Sequence, residues 1–275
     1  MNQRTDQLIR ESHLHLPSFE AAAPVPLEAS TKRASCACGY VDDQGHVWRE
    51  AITTDFTHAA GAVAALGSDW IMVTDNEPQS GTATANIQYV SENVMEFNDA
   101  LGIQASAYTS GSSNVNCGEI FTERSDILYS SFRMRSVYFF SCESDTQGQD
   151  IEFLSSDSDY NQYIYYTNQP RNIDGVVDTD AHKDVEIDGA DFTAFGEHRF
   201  DWLQTSTNYY YNSVLEATVT KNVPTQSPPP SNAIATVQYV DLYFNSTSFS
   251  EAHFDSACSQ AGNVAMKVWG VDRAK

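Results

Sequence analysis

The chain has 275 residues, 41% of them hydrophobic, and sets 15 basic against 37 acidic side chains for a formal charge of −22 at pH 7. That length fits one large β-sandwich or barrel as a single domain. So acidic a balance repels phosphate backbones and anionic lipid, which sets aside nucleic acid and membrane surfaces as partners; no apolar run is long enough to cross a bilayer.

Residues 1–34 hold no sustained hydrophobic period and contain the dibasic Lys32-Arg33. They read as a flexible leader or pro-segment remnant whose secretion signal has been removed, with a cytosolic tail as the alternative. Residues 35–275 are expected to form one domain, its first strand near Gly39. Aromatic and β-branched residues favour a strand over residues 47–56, a short helical turn fits 57–68, and strands follow at 69–74 and 85–90. From residue 118 alternation dominates. Over residues 127–140 it puts Tyr129, Ser131, Arg133 and Arg135 on one face, and Leu128, Phe132 and Met134 on a core face after a local irregularity. Tyr163 and Tyr165 oppose Ile164, residues 198–202 alternate likewise, 207–212 turn into 214–217, and Val237, Tyr239, Asp241 and Tyr243 share a face of the closing strand. A helix is expected within 249–262, with Ser250 as N-cap and Gly262 near its end. Many short strands separated by turn signals indicate an all-β sandwich. Phosphate loops, repeats and heptads are missing from the sequence.

The chemistry concentrates in residues 146–154, where an extended strand turns Gly148, Asp150 and Glu152 to one face. A retaining glycosidase needs two carboxyl groups about 5–5.5 Å apart, one as nucleophile and one as acid/base. A strand reading Glu-x-Asp-x-Glu delivers them from one segment; here the first Glu is a glycine. Four runs in order, CGEIFTERSDILYSSFRMRS (117–136), SDTQGQDIEFLSS (144–156), GEHRFDW (196–202) and VQYVDLYFNSTS (237–248), together with Cys36-Ala-Cys38-Gly39-Tyr40, resemble the fungal, laminarinase-like endo-β-glucanase branch of glycoside hydrolase family 16. The resemblance covers roughly residues 36–250.

The resemblance implies a concanavalin A-like jelly roll of two packed antiparallel sheets. It puts Gly148 at the nucleophile position, Asp150 at the carboxylate between, and Glu152 at the general acid/base. In the run that is usually F-H-E-Y-x-F-x-W, Gly196 stands for the His and His198 for the Tyr, while Trp202 is kept. A cleft-lining segment is replaced by residues 225–232. Of the five cysteines, Cys36, Cys38, Cys117, Cys142 and Cys258, the resemblance pairs the first two with later ones and leaves one free; reduced cytosolic thiols are the alternative. Cys36-x-Cys38 lacks the second ligand pair of a zinc site, and neither metal nor cofactor is expected. Asn245-Ser246-Thr247 is a glycosylation sequon, a pattern that also arises by chance.

Glu152, Asp150 and His198 are the catalytic candidates, and Tyr129, Arg133, Tyr163, Tyr165 and Trp202 the substrate-binding ones. Each also has a packing reading: aromatics on strands bury into cores, a histidine is often only structural, and Arg133 and Arg135 pair with an acidic surface. A second carboxylate for hydrolysis would have to come from Glu119, Glu143 or Asp145. Three functions stay open: a repurposed small-molecule enzyme, a dead β-glucan-binding protein and a weak endo-β-glucanase. By analogy the chain resembles the hetero-Diels–Alderases of fungal tropolonic sesquiterpenoid pathways, which join a tropolone-type quinone methide to a humulene-type alkene. That resemblance implies small hydrophobic or aromatic substrates; secretion is expected from the leader reading, and a homodimer is an open possibility.

Overall fold

A computed structural model describes residues 38–57, 60–79, 85–137, 147–153, 163–173, 175–188, 190, 194–225, 231–233, 235–260, 262 and 265–268. The strands that build the site are β1 (Glu50–Asp55), β2 (Val94–Phe97), β3 (Ala100–Ile103), β4 (Ile127–Val137), β5 (Gly148–Glu152), β6 (Tyr163–Gln169), β7 (His182–Glu186), β8 (Gly196–Trp202), β9 (Thr207–Tyr211), β10 (Val214–Val219) and β11 (Ala235–Ser246). Eight of them form one sheet in the order β10-β9-β8-β4-β11-β3-β2, with β1 also paired to β11. β5, β6 and β7 form a second, three-stranded antiparallel sheet.

The two sheets pack face to face. Phe132 and Met134 of β4, Phe200 and Trp202 of β8, Tyr209 of β9 and Leu242 of β11 enter one buried cluster with Ile151, Ile164 and Tyr166 of the smaller sheet. Tyr166 stacks on Tyr209 at 4.7 Å between ring centroids, and the Tyr209 hydroxyl donates to the Thr167 carbonyl oxygen at 2.9 Å. Burying each of these large side chains contributes about 1.5–3 kcal/mol, so the core registers β6 against the larger sheet.

The other face of the larger sheet is polar. Ser131, Arg133 and Arg135 of β4 stand opposite Asp201, Arg199 and Glu197 of β8, and opposite Tyr243, Asp241 and Tyr239 of β11. The expected alternation in β4 holds for Ser131, Arg133 and Arg135. Tyr129 breaks it, because the register shifts between Leu128 and Ser130 and Tyr129 adopts φ 63°. The expected strand at 47–56 divides at Arg49: Val47–Trp48 pairs with Tyr40–Val41, and only Glu50–Asp55 joins the larger sheet. Tyr40, Trp48 and Tyr243 form a second cluster over that polar face.

Short helices occupy Ala62–Ala65 and Glu251–Gln260, the latter starting where the Ser250 carbonyl oxygen accepts the Phe254 N–H at 3.1 Å. A disulfide between Cys38 and Cys258 ties that helix to the first strand, and Cys117 is buried and unbridged. Cys36, Cys142, residues 1–34 and the Pro228–Pro230 run lie outside the described residues. Within residues 225–232, Ser231 opens a short strand, Ser231–Ala233, paired to Glu119–Thr122.

Candidate active site

In β5 all five residues are buried. Ile151 goes into the core, as does Phe153 just beyond the strand, so the two-residue period turns Gly148, Asp150 and Glu152 to the opposite face. Register then decides what meets them. Gly148 lies opposite Gln169, Asp150 opposite Thr167 and Glu152 opposite Tyr165 of β6; Thr167, Tyr165 and Tyr163 lie opposite His182, Asp184 and Glu186 of β7. One face of a three-stranded sheet therefore collects acids, an imidazole, a hydroxyl, an amide and two phenols.

These groups are tied into short chains. Gln169 Nε2 donates to Asp150 Oδ2 at 2.5 Å. His182 Nε2 pairs with Asp184 Oδ1, and a nitrogen facing a carboxylate carries the proton. On its other side, Nδ1 lies 2.7 Å from the Thr167 hydroxyl oxygen. The Tyr165 ring stacks on the imidazole at 5.9 Å, and the Tyr163 hydroxyl donates to Glu186 Oε2 at 3.1 Å. Asp150 is 0% exposed and Glu152 6%, whereas Tyr163 and Tyr165 are half-buried and Asp184 and Glu186 exposed. The face is deepest at the β5 carboxylates and opens toward β7.

Of the residues singled out from sequence, Gly148, Asp150, Glu152, Tyr163 and Tyr165 share this face. His198 does not. It alternates with Phe200 and Trp202 toward the core, 2% exposed, its ring 5.4 Å from Phe153 and 5.1 Å from Tyr211. Burial pushes its pKa down to about 3, so it is a neutral packing residue through the physiological range. Trp202 is equally part of the core, its indole N–H donating to the Pro224 carbonyl oxygen at 2.8 Å, with Tyr129 against it edge-on at 5.4 Å. Arg133 lies on the polar face of the larger sheet, paired with Glu197 and 5.9 Å from the Tyr239 ring centroid. These four lie apart from that face, in packing or in pairing on the larger sheet.

Glu119 lies elsewhere too. Burial, reinforced by Glu119 and then Glu77, pushes the Cys117 thiol up to about 11. Glu143 and Asp145 lie outside the described residues. The sequence reading missed Gln169, Thr167, His182 and Asp184. Its available signal was the polar alternation His182-x-Asp184-x-Glu186, a second acid-bearing period of two.

Asp42, His46 and Asp201 bring their ligand atoms within 4.8 Å of one another. Those atoms are already engaged. Asp42 Oδ2 meets His46 Nδ1 at 2.8 Å and accepts from Trp48 Nε1 at 3.1 Å, and Asp201 accepts from Ser131 Oγ at 2.5 Å and from the Arg199 guanidinium at 2.8 and 2.7 Å. The cluster reads as a cross-tie between the first strands and the larger sheet.

Two solved structures share this architecture. A prokaryotic β-1,3-1,4-glucanase (lichenase) derived from a mouse hindgut metagenome aligns with a TM-score of 0.53 at 12% identity, over 71% of this chain and 99% of that one. A native glycosidic hydrolase aligns with a TM-score of 0.52 at 17% identity, over 73% and 99%. The fold is a glucanase-like jelly-roll sandwich. In sequence, a β-glucanase of Bacillus subtilis (strain 168) is 36% identical over 76 residues, 28% of either chain. A β-glucanase of Brevibacillus brevis is 33% identical over 79 residues, 29% of this chain and 27% of its own length. The chain thus spans little more than a quarter of the length of the curated relatives it matches. No family model matches it.

Proposed function

We propose that this protein is a non-hydrolytic enzyme on a glucanase-like sandwich, binding a small aromatic substrate on the β5–β6–β7 face and closing a ring by hetero-Diels–Alder cycloaddition. The observation that carries the reading is the composition of that face. Gly148 offers no attacking atom beside Asp150 and Glu152, while hydrogen-bonding groups and two phenol rings fill the neighbouring strands. Double displacement at a sugar carbon requires two carboxyl groups, and losing one member of such a unit costs several orders of magnitude in rate. A cycloaddition asks for less. A quinone methide's C=C–C=O unit and an alkene exchange two π bonds for one carbon–carbon and one carbon–oxygen σ bond, the remaining π bond moves, and nothing is released.

The protein's part is then to hold the two reactants together and to donate a hydrogen bond to the heterodiene oxygen as its electron demand grows. Thr167, Gln169 and Tyr165 are the donors on the face, and the half-buried rings of Tyr163 and Tyr165 suit a flat tropolone. A tropolone-type quinone methide and a humulene-type alkene are the proposed pair. Passage through the secretory pathway is part of the same reading, supported by the Cys38–Cys258 disulfide.

Retention of Asp150 and Glu152 on one strand favours a second reading, a β-glucan binder or weak glucanase. Gly148→Glu separates the two. The proposal expects no cleavage of laminarin or lichenan by the wild type, none after addition of azide or formate, and none by Gly148→Glu. It expects cycloadduct formation above the spontaneous rate, reduced about 100-fold in Thr167→Val. Retaining hydrolysis by the wild type, or rescue by azide or the restored glutamate, refutes it.

A further inference from the structure

A shallow, half-open surface groove lies apart from that face. It has a volume of about 200 Å³ and is lined by Val47, Arg49, Asn245, Ser246, Phe249 and Glu251. It lies where the last residues of β11 meet the edge strand Val47–Trp48 and the start of the Glu251–Gln260 helix. Its walls are braced: Arg49 Nη2 is 3.7 Å from Glu251 Oε2, the Arg49 guanidinium lies 4.5 Å over the Phe254 ring, and Phe254 meets Phe249 edge-on at 5.3 Å.

One lining residue is the asparagine of Asn245-Ser246-Thr247. Asn245 is fixed by one end, its Oδ1 accepting the Arg49 backbone N–H at 3.2 Å. The same Arg49 N–H also reaches the Phe244 carbonyl oxygen at 3.1 Å, so the Asn245 side chain is tied to the edge strand at the groove wall. The strand ends at Ser246, and Thr247 is exposed. The sequon asparagine is thus one of the residues that line this groove.

We infer that Asn245 carries an N-linked glycan whose first N-acetylglucosamine lies in this groove, its apolar ring face against Phe249 and its polar edge toward Arg49 and Glu251. In forming it, Nδ2 attacks C1 of a lipid-pyrophosphate-linked oligosaccharide. The Nδ2–C1 bond forms, the C1–O bond to pyrophosphate breaks, and Nδ2 loses one proton. The sugar then bridges the edge strand, the end of β11 and the helix that the disulfide tethers. The inference rests on secretory passage and not on the cycloaddition.

The test is to secrete the full chain from a eukaryotic host behind an added secretion signal, so that passage is assured. Peptide mass spectrometry is expected to find hexosamine on Asn245 and none in Thr247→Ala. Trimming the glycan to its first sugar with an endoglycosidase is expected to keep Tm about 2–4 °C above that of Thr247→Ala, and Phe249→Ala is expected to be glycosylated yet to lose that difference. An unmodified Asn245 in secreted protein overturns the inference. So does a Tm gain that survives in Phe249→Ala, since the sugar would then lie outside the groove.

Discussion

Replacing His198 by phenylalanine separates a packing histidine from a catalytic one. The imidazole is buried between Phe153 and Tyr211, and burial holds its pKa near 3, against an ordinary value of 6.5. A histidine depressed in the folded state gives stability that is fully present above its unfolded pKa and is lost as pH falls toward the folded one. Between those values the unfolded chain binds a proton that the native chain does not. Stability therefore declines by about 1.4 kcal/mol per pH unit, close to 3 kcal/mol between pH 7.5 and 4.5 from this residue. His198→Phe keeps an aromatic ring against Phe153 and Tyr211 and removes the titration. Urea unfolding of both proteins at pH 7.5, 6.0 and 4.5 is the assay, because all other titrating groups are shared and the difference isolates this one. The variant is expected to gain about 3 kcal/mol on the wild type across the range and to keep its turnover at pH 7.5 within about twofold. Parallel pH curves refute the burial argument. A folded variant that has lost turnover returns His198 to the reacting face.

Two further outcomes follow from the packing. Arg199, 4% exposed, holds the fully buried Asp201 through both carboxylate oxygens, pairs with Asp43 at 2.9 Å and lies 4.4 Å over Tyr210. Arg199→Met strands that carboxylate and is expected to cost about 3–5 kcal/mol in denaturant unfolding, with Asp201→Asn in the same chain recovering part of it; full stability of the single variant contradicts this account. Cys258→Ser opens a link across a sequence separation of 220 residues, for which chain entropy allows up to about 5 kcal/mol. The expected readout is early proteolysis within Glu251–Gln260 ahead of the sandwich, and equal resistance of both proteins denies the disulfide that role.

The alternation of β4 was legible because Phe132 and Met134 contrast with Ser131, Arg133 and Arg135. β7 was not, because His182-Lys-Asp-Val-Glu186 has one apolar residue and hydrophobic periodicity is blind to it. The β2–β3 hairpin also escaped notice, although Asn98 and Asp99 both adopt positive φ, at 49° and 55°, and Asn-Asp between Phe97 and Ala100 is a two-residue turn signal. The misplacement of His198 was avoidable on parity alone. Residues 198, 200 and 202 share one side of a strand, so a Trp202 in the core carries His198 there with it. What the sequence hides is the register of β6 against β5 and β7, since the pairings that bring Thr167 between Asp150 and His182 are set by strands distant in the chain.

That register also separates the side chains that hold this fold together from those on its polar face. β5 divides its labour by parity: Ile151 joins the core, while Gly148, Asp150 and Glu152 stand on the opposite face. A change of side chain at 148 leaves the core face of β5 and its ladder to β6 intact, because that ladder is made by backbone. The polar groups of β6 are placed by the same rule. Thr167, Tyr165 and Tyr163 occupy outward positions of β6, whose inward positions are Ile164 and Tyr166. A core substitution such as Ile164→Ala is therefore expected to lower stability by about 2–5 kcal/mol with turnover per folded molecule preserved. Outward changes such as Tyr165→Ala are expected to do the reverse. Parallel measurement of urea midpoints and initial rates on the two variants checks this. Loss of turnover in well-folded Ile164→Ala, or full turnover in Tyr165→Ala, shows that the working surface of this sandwich is not the outward side of β5, β6 and β7.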